Sequence, residues 1–177
     1  MFLLIFLGGF VLWYDWREAR NERRYDAFVL LAADKYRVHP ALIKAVIWQE
    51  SRFKANARGK VGEIGLMQIG KLAAQEWAEA DKIDSFAHRQ LFDPMLNIMA
   101  GTWYLGKLIG RYMHTDNPYR YALADYNAGR TQVLRWNKGA AATNSALFLE
   151  HMDYPSTRQY VDDILERFRV YRKDYPN

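Results

Sequence analysis

The chain has 177 residues, half of them apolar and a quarter charged, which excludes a disordered or fibrous polymer and suits one domain with a short appendage. Cysteine is absent, so disulfides, thiolate metal sites and cysteine nucleophiles are excluded, and the four histidines (His39, His88, His114, His151) fall in no two-histidine helical spacing for a metal. The net charge of +5 is mild and favours loose contact with anionic polymers or acidic lipid. Basic residues are interleaved with acidic ones and no nucleic-acid-binding module is present, so no nucleic-acid partner is expected.

Met1 to Tyr14 (MFLLIFLGGFVLWY) is uncharged and strongly apolar. It is shorter than the roughly 20 residues of a spanning helix. Neither a preceding basic residue nor an Ala-x-Ala cleavage site marks it as a secretory signal. With the charged stretch Asp15–Arg24 it reads as a signal-anchor and stalk (1–24) that tethers a domain (25–177) to a membrane. The competing reading is an apolar helix packed on that domain. Arg17, Arg20, Arg23 and Arg24 follow the apolar run, and the positive-inside tendency would place that side in the cytoplasm.

Beyond the stalk, Tyr25, Phe28, Val29, Ala32 and Tyr36 recur with helical period. His39-Pro40 opens a second helix whose stripe is Ile43, Val46, Ile47, Glu50 and Phe53. Gly59, Gly62, Gly65 and Gly70 predict a loop with a short hairpin over 54–70. Residues 71–80 read as helix. Asp93-Pro94 starts a long buried helix through Leu96, Ala100, Trp103, Tyr104, Leu108 and Tyr112. Pro118 opens another, running to about Tyr126 and stopped by Asn127 and Gly129. A short helix follows at 130–136, then a small-residue stretch from Lys138 to Ser145. Ser156 is expected to cap a last helix with the stripe Tyr160, Val161, Ile164, Leu165 and Phe168. No repeat or long strand appears. The fold class is mainly α (α+β), with a small irregular or β insert after the second helix.

Glu50 departs from this pattern. Seven residues of helix turn about 700°, so Glu50 points within about 20° of Ile43, on the apolar stripe. A desolvated carboxylate there stays protonated near neutral pH, as a general acid for a glycosidic oxygen must. On the residues alone, Glu50 can equally turn out to water or pair with Arg52 or Lys54.

Three motifs in order bear on that choice: Glu50-Ser51, Gly65-Leu66-Met67-Gln68-Ile69, and Ala124-Asp125-Tyr126-Asn127-Ala128-Gly129. With Leu91-Phe92-Asp93-Pro94, Asn97-Ile98, Gly101, Tyr104-Leu105 and Thr157-Arg158-Gln159-Tyr160-Val161, the run 25–173 resembles the catalytic domain of soluble lytic transglycosylases, the peptidoglycan-cleaving relatives of goose-type lysozyme. The resemblance implies a lysozyme-like fold with a glycan-binding cleft and peptidoglycan strands as partner, on the periplasmic side of the envelope. It also implies that Glu50 is the sole catalytic carboxylate and that Ser51 orients it. Met67 and Gln68 then line the cleft where sugar N-acetyl groups lie, Tyr126 and Asn127 face the acid, and Tyr160 closes one wall. Independently of the family, Gly65 calls for a positive φ or a close approach, Met67 and Tyr126 suit core packing, and Asn127 suits a helix end.

With one carboxylate, the expected chemistry is substrate-assisted. The sugar's N-acetyl carbonyl attacks the anomeric carbon as Glu50 protonates the leaving oxygen, and the ring's C6 hydroxyl then closes to an anhydro-muramyl end. No metal or cofactor is expected. Asp125 stands where the family usually has a small residue, and Glu63 precedes the Gly-Leu-Met-Gln run. Either could activate water and make the enzyme a lysozyme-type hydrolase. A third reading is an inactive glycan-binding module. Gly70 and Lys71 depart from the usual continuation of that run, and Ser156 replaces an acid often found before Thr-Arg-x-Tyr.

Overall fold

The computed structural model describes residues 21–175. The apolar segment Met1–Tyr14, and the stalk up to Arg20, lie outside the described residues. Eight α-helices lie wholly within the described residues: α1 (Asp26–Tyr36), α2 (Pro40–Ser51), α3 (Lys71–Ala80), α4 (Pro94–Arg111), α5 (Pro118–Ala128), α6 (Arg130–Trp136), α7 (Ser145–His151) and α8 (Pro155–Tyr171). Short 3₁₀ turns at His88–Phe92, Gly139–Ala142 and Arg172–Asp174 complete the set. No helix among the described residues is long and apolar enough to cross a membrane.

Three of the starts follow from local chemistry. Pro40, Pro94 and Pro118 each sit in a first turn, where a missing N–H costs nothing. The His39 ring nitrogen accepts from the Ala41 N–H, and the Asp93 carboxylate accepts from the Leu96 N–H. Two expectations shift. The last helix is not capped by Ser156: Pro155 already occupies the first turn, Tyr154 takes the cap position, and Ser156 lies inside the helix. The second helix stops at Ser51 rather than carrying its stripe through Phe53, because Arg52 and Phe53 both turn left-handed, with φ of 51° and 59°. Phe53 is buried all the same. Helix α7 lies beyond the small-residue stretch and is capped by the Asn144 side chain, which accepts from the Ala146 and Leu147 N–H groups.

Helix α2 is the buried axis: Ala41 through Ile47 are all buried, including Lys44, whose ammonium pairs with Asp26 on α1 at 2.7 Å. Around it, α8 packs along α2, α4 packs on α1 and α5, and α5 also packs on α8 and α6. The segment between α2 and α3 forms no strand, only two isolated antiparallel bridges, Arg58–Ile64 and Ile64–Ile69. It is pinned by Asn97 of α4, which is fully buried. The Asn97 Oδ1 accepts from the Met67 N–H at 2.7 Å, and its Nδ2 donates to the Ile64 and Leu91 carbonyls, both at 2.9 Å. Gly65 has φ +81°, and a Cβ there would overlap the Asn97 amide and the Leu91 carbonyl. Both reasons anticipated for that glycine therefore apply.

Candidate active site

Four chain segments meet around Glu50: the end of α2, the insert, the end of α5 and the first half of α8. Glu50 sits in the last turn of α2, half-buried. The buried Tyr160 on α8 donates its hydroxyl to Glu50 Oε1 at 2.5 Å. Burial pushes the Glu50 carboxyl up to about 7 from its ordinary 4.5; the Tyr160 hydrogen bond opposes that rise, and the charge of Glu63 adds to it. Burial, reinforced by the Glu50 charge, also holds the Tyr126 and Tyr160 phenols well above their ordinary value, so both stay neutral. Glu50 therefore does not turn out to water, nor does it pair with Arg52 or Lys54.

Of the other expected site residues, Tyr126 is near enough to Glu50 for that charge to act on it, while Asn127 and Gln68 make their hydrogen bonds to other groups. Tyr126 donates its hydroxyl to the Met67 carbonyl at 2.8 Å, and its ring lies 5.5 Å from that of Tyr104. Asn127 is exposed, and its Oδ1 accepts from Thr157 at 2.8 Å, tying the end of α5 to α8. Gln68 adopts φ +48° and donates its side-chain amide to the Gly65 carbonyl at 2.8 Å.

Two residues are placed otherwise than expected. Ser51 does not hydrogen-bond the Glu50 carboxylate. Its hydroxyl lies 2.8 Å from the Leu66 carbonyl and 3.1 Å from that of Ile47, so it clamps the helix end to the insert. Neighbouring residues on a helix diverge by about 100°, which turns Ser51 away once Glu50 faces inward. The Met67 side chain does not line the site either: it is fully buried against α4, filling the room left by the missing Cβ of Gly101. Only its backbone carbonyl reaches Tyr126.

The two acids named as possible second carboxylates also separate. Asp125 is 1% exposed, with Oδ2 accepting from Arg111 at 2.7 Å and from the Tyr112 hydroxyl at 2.6 Å. Glu63 is half-buried, close-packed on the bare Cα of Gly59, and near enough for its charge to act on Glu50. Asn97, Tyr104 and Thr157 stand in the sequence as matches within the resemblance; their contacts with the insert, with Tyr126 and with Asn127 come from the structure. A lone amide on the apolar face of α4 was the available signal for Asn97. Among the described residues, no cluster of three or more potential metal ligands occurs.

A helical domain with a semi-buried carboxylic acid at a helix end is common to many enzymes, and the comparisons narrow it to one family. Residues 28–149 match the Transglycosylase SLT domain, and the chain belongs to that family. It is 32% identical over 130 residues to the soluble lytic murein transglycosylase of Escherichia coli K12, covering 72% of this chain and 20% of that protein. It is 36% identical over 113 residues to the membrane-bound lytic murein transglycosylase F of Desulfosudis oleivorans, covering 62% of this chain and 23% of that protein. Among solved structures, an inactive glutamate-to-glutamine mutant of the lytic transglycosylase Slt from Pseudomonas aeruginosa superposes with a TM-score of 0.77 at 29% identity, covering 86% of this chain and 24% of that one. The chain thus spans about a quarter or less of the length of these relatives.

Proposed function

We propose that this domain is a peptidoglycan lytic transglycosylase and that Glu50 is its one catalytic carboxylate. The observation that carries the reading is the Glu50–Tyr160 pair, in which burial holds a carboxylic acid half-protonated near pH 7. The Tyr160 hydroxyl donates to Oε1, which leaves the acidic proton on Oε2 to pass to a glycosidic oxygen. As the bond between the muramyl and glucosaminyl rings breaks, the N-acetyl carbonyl of the muramyl ring attacks its own anomeric carbon. Glu50, now ionised, accepts the C6 hydroxyl proton of that ring, and closure gives the anhydro end. Being intramolecular, this closure outruns attack by water.

The surrounding residues take positions in that scheme. Tyr126 walls the site, and its hydroxyl, fixed on the Met67 carbonyl, keeps lone pairs free for the N-acetyl N–H. The Asn127 amide nitrogen is free to donate to a sugar oxygen while its Oδ1 is held by Thr157. Gln68 lines the insert side. Ser51 and the Met67 side chain support the geometry from behind. Peptidoglycan as substrate puts the domain at the bacterial cell envelope on the periplasmic side, and the apolar Met1–Tyr14 sequence supports anchoring to the inner membrane, while the arginines that follow it run against the positive-inside tendency for that orientation.

Glu63 sustains one second reading, a lysozyme-type hydrolase, because its charge acts on the same site. Mass analysis of muropeptides from digested sacculi tests both, since anhydro and reducing ends differ by one water. Anhydro ends that survive Glu63→Ala support the transglycosylase. Reducing ends that Glu63→Ala abolishes support the hydrolase. No turnover by the wild type, or a Glu50→Gln variant that keeps a tenth of it, refutes the enzymatic assignment to Glu50.

A further inference from the structure

The corner where α4, α5 and α6 meet holds two arginines that the reaction does not use. At its base is Asp125, a fully buried carboxylate one residue before Tyr126. Its Oδ2 accepts from Arg111 Nη1 at 2.7 Å and from the Tyr112 hydroxyl at 2.6 Å. The Tyr112 oxygen in turn accepts from Arg130 Nη1 at 2.8 Å. One buried carboxylate and one buried phenol therefore aim two guanidinium groups from different helices at the same corner. Two positive charges stand against one negative, and Arg130 forms no ion pair among the described residues. Arg130 is exposed and Arg111 is half-buried, so donors on both remain open to solvent.

This corner adjoins the Glu50 site. Tyr104 lies on the same face of α4 as Arg111, two turns earlier, and its ring touches Tyr126. The Tyr104 phenol is pushed up by burial first and then by Asp125, with Arg111 acting against both, so the Asp125–Arg111 pair is close to it. The path from the acid runs Glu50, Tyr126, Tyr104, Arg111, Arg130. A planar guanidinium held by one donor keeps a fork of further N–H groups for a carboxylate, and here that fork is pre-positioned.

We propose that Arg111 and Arg130 form an anion subsite beside the glycan-binding site, which takes a carboxylate of the muramyl substituent: one on the peptide stem or, where the stem has been removed, the freed lactyl carboxylate. The proposal rests on the transglycosylase reading and adds a specificity element to it. It also accounts for a charged residue at position 125: Asp125 orients the arginines and stays out of the chemistry.

The test compares Arg130→Gln and Arg130→Lys with wild type on three substrates: peptide-bearing glycan strands, the same strands with their carboxylates converted to amides, and strands stripped of stems by an amidase, which leaves lactyl carboxylates. Arg130→Gln is expected to raise KM about three- to tenfold on peptide-bearing strands with kcat unchanged, the scale of one charge-assisted contact at a half-exposed site. Arg130→Lys should recover part of the loss, and the amidated strands should show none. A loss confined to peptide-bearing strands assigns a stem carboxylate, a loss confined to stripped strands assigns the lactyl carboxylate, and a loss on both shows that the subsite takes either. An unchanged KM on both peptide-bearing and stripped strands, or an equal loss on amidated ones, overturns the subsite alone. Wild type that cuts none of the three refutes the parent reading and the subsite with it.

Discussion

A carboxyl group kept protonated by its surroundings costs the fold stability, and at Glu50 the cost can be read from the structure. The folded carboxyl sits at about 7 against 4.5 when exposed, so folding holds its proton more tightly than the unfolded chain does. Below about pH 4.5 both states are protonated and there is no penalty. Between about 4.5 and 7 the unfolded chain loses its proton first, and native stability falls with rising pH. Above about 7 the full difference applies: about 2.5 pH units at about 1.4 kcal/mol each, or about 3 kcal/mol. Glu50→Gln removes the titration and keeps the shape and the acceptor for Tyr160. The variant should match wild type near pH 4 and exceed it by about 3 kcal/mol at pH 8, a rise of roughly 6–12 °C in Tm for a domain of this size. Thermal melts of both proteins from pH 4 to 8 check this. A Tm difference that does not change with pH, or a variant less stable than wild type at pH 8, would refute the desolvation argument.

Tyr160→Phe removes the hydrogen bond that favours ionised Glu50, so the Glu50 carboxyl should rise further and the basic limb of kcat/KM should move up by about one pH unit; a limb that stays put or moves down contradicts the pairing. Asn97→Ala leaves the Met67 N–H and the Leu91 carbonyl unpaired and takes one of two donors from the Ile64 carbonyl, which keeps the Ile69 N–H, and should lower stability by about 2–3 kcal/mol or more in denaturant melts. Gly101→Ala drives a methyl group into Met67 and should destabilise by about 1–3 kcal/mol, while an exposed glycine such as Gly110, with open space around it, should tolerate alanine. Asp125→Asn should lower Tm yet leave the product ends unchanged by mass, because the carboxylate faces Arg111 and Tyr112; a switch in product type would return it to the chemistry.

What sequence could deliver here tracks how local each cause is. Pro40, Pro94 and Pro118 mark their helix starts because a missing N–H is a property of one residue, and Asp93 acts within its own turn. Ser156 misled because a good cap residue is only a cap where the chain enters the helix, and Pro155 had already set that entry one residue earlier. Helix α7 went unread although Asn144 caps it, since small residues masked the period before it. Met67 shows the limit in the insert: with neither a 2.0 nor a 3.6 period, nothing in residues 54–70 says which way a side chain points. The answer lies in Gly101, on another helix.

Glu50 combines both cases. Its place on an apolar stripe is legible from α2 alone, and so is the divergence that turns Ser51 to the Leu66 carbonyl. Its proton affinity is not, because that depends on a phenol 110 residues further along the chain and on a carboxylate in the insert. Burial from the core raises the affinity, Tyr160 from α8 restrains it, and Glu63 from the insert raises it again. No one segment sets the value near 7; the packing of α2 against α8 and the pinning of the insert by Asn97 set it together. The same holds for Asp125, a charge that looks catalytic next to Tyr126 in the sequence. Once α4 brings Arg111 and Tyr112 to it, it becomes the anchor of a separate basic corner. Glu50 and Asp125 thus have opposite surroundings, a phenol and a second acid for one and an arginine and a phenol for the other, and which helix packs on each of them decides the difference.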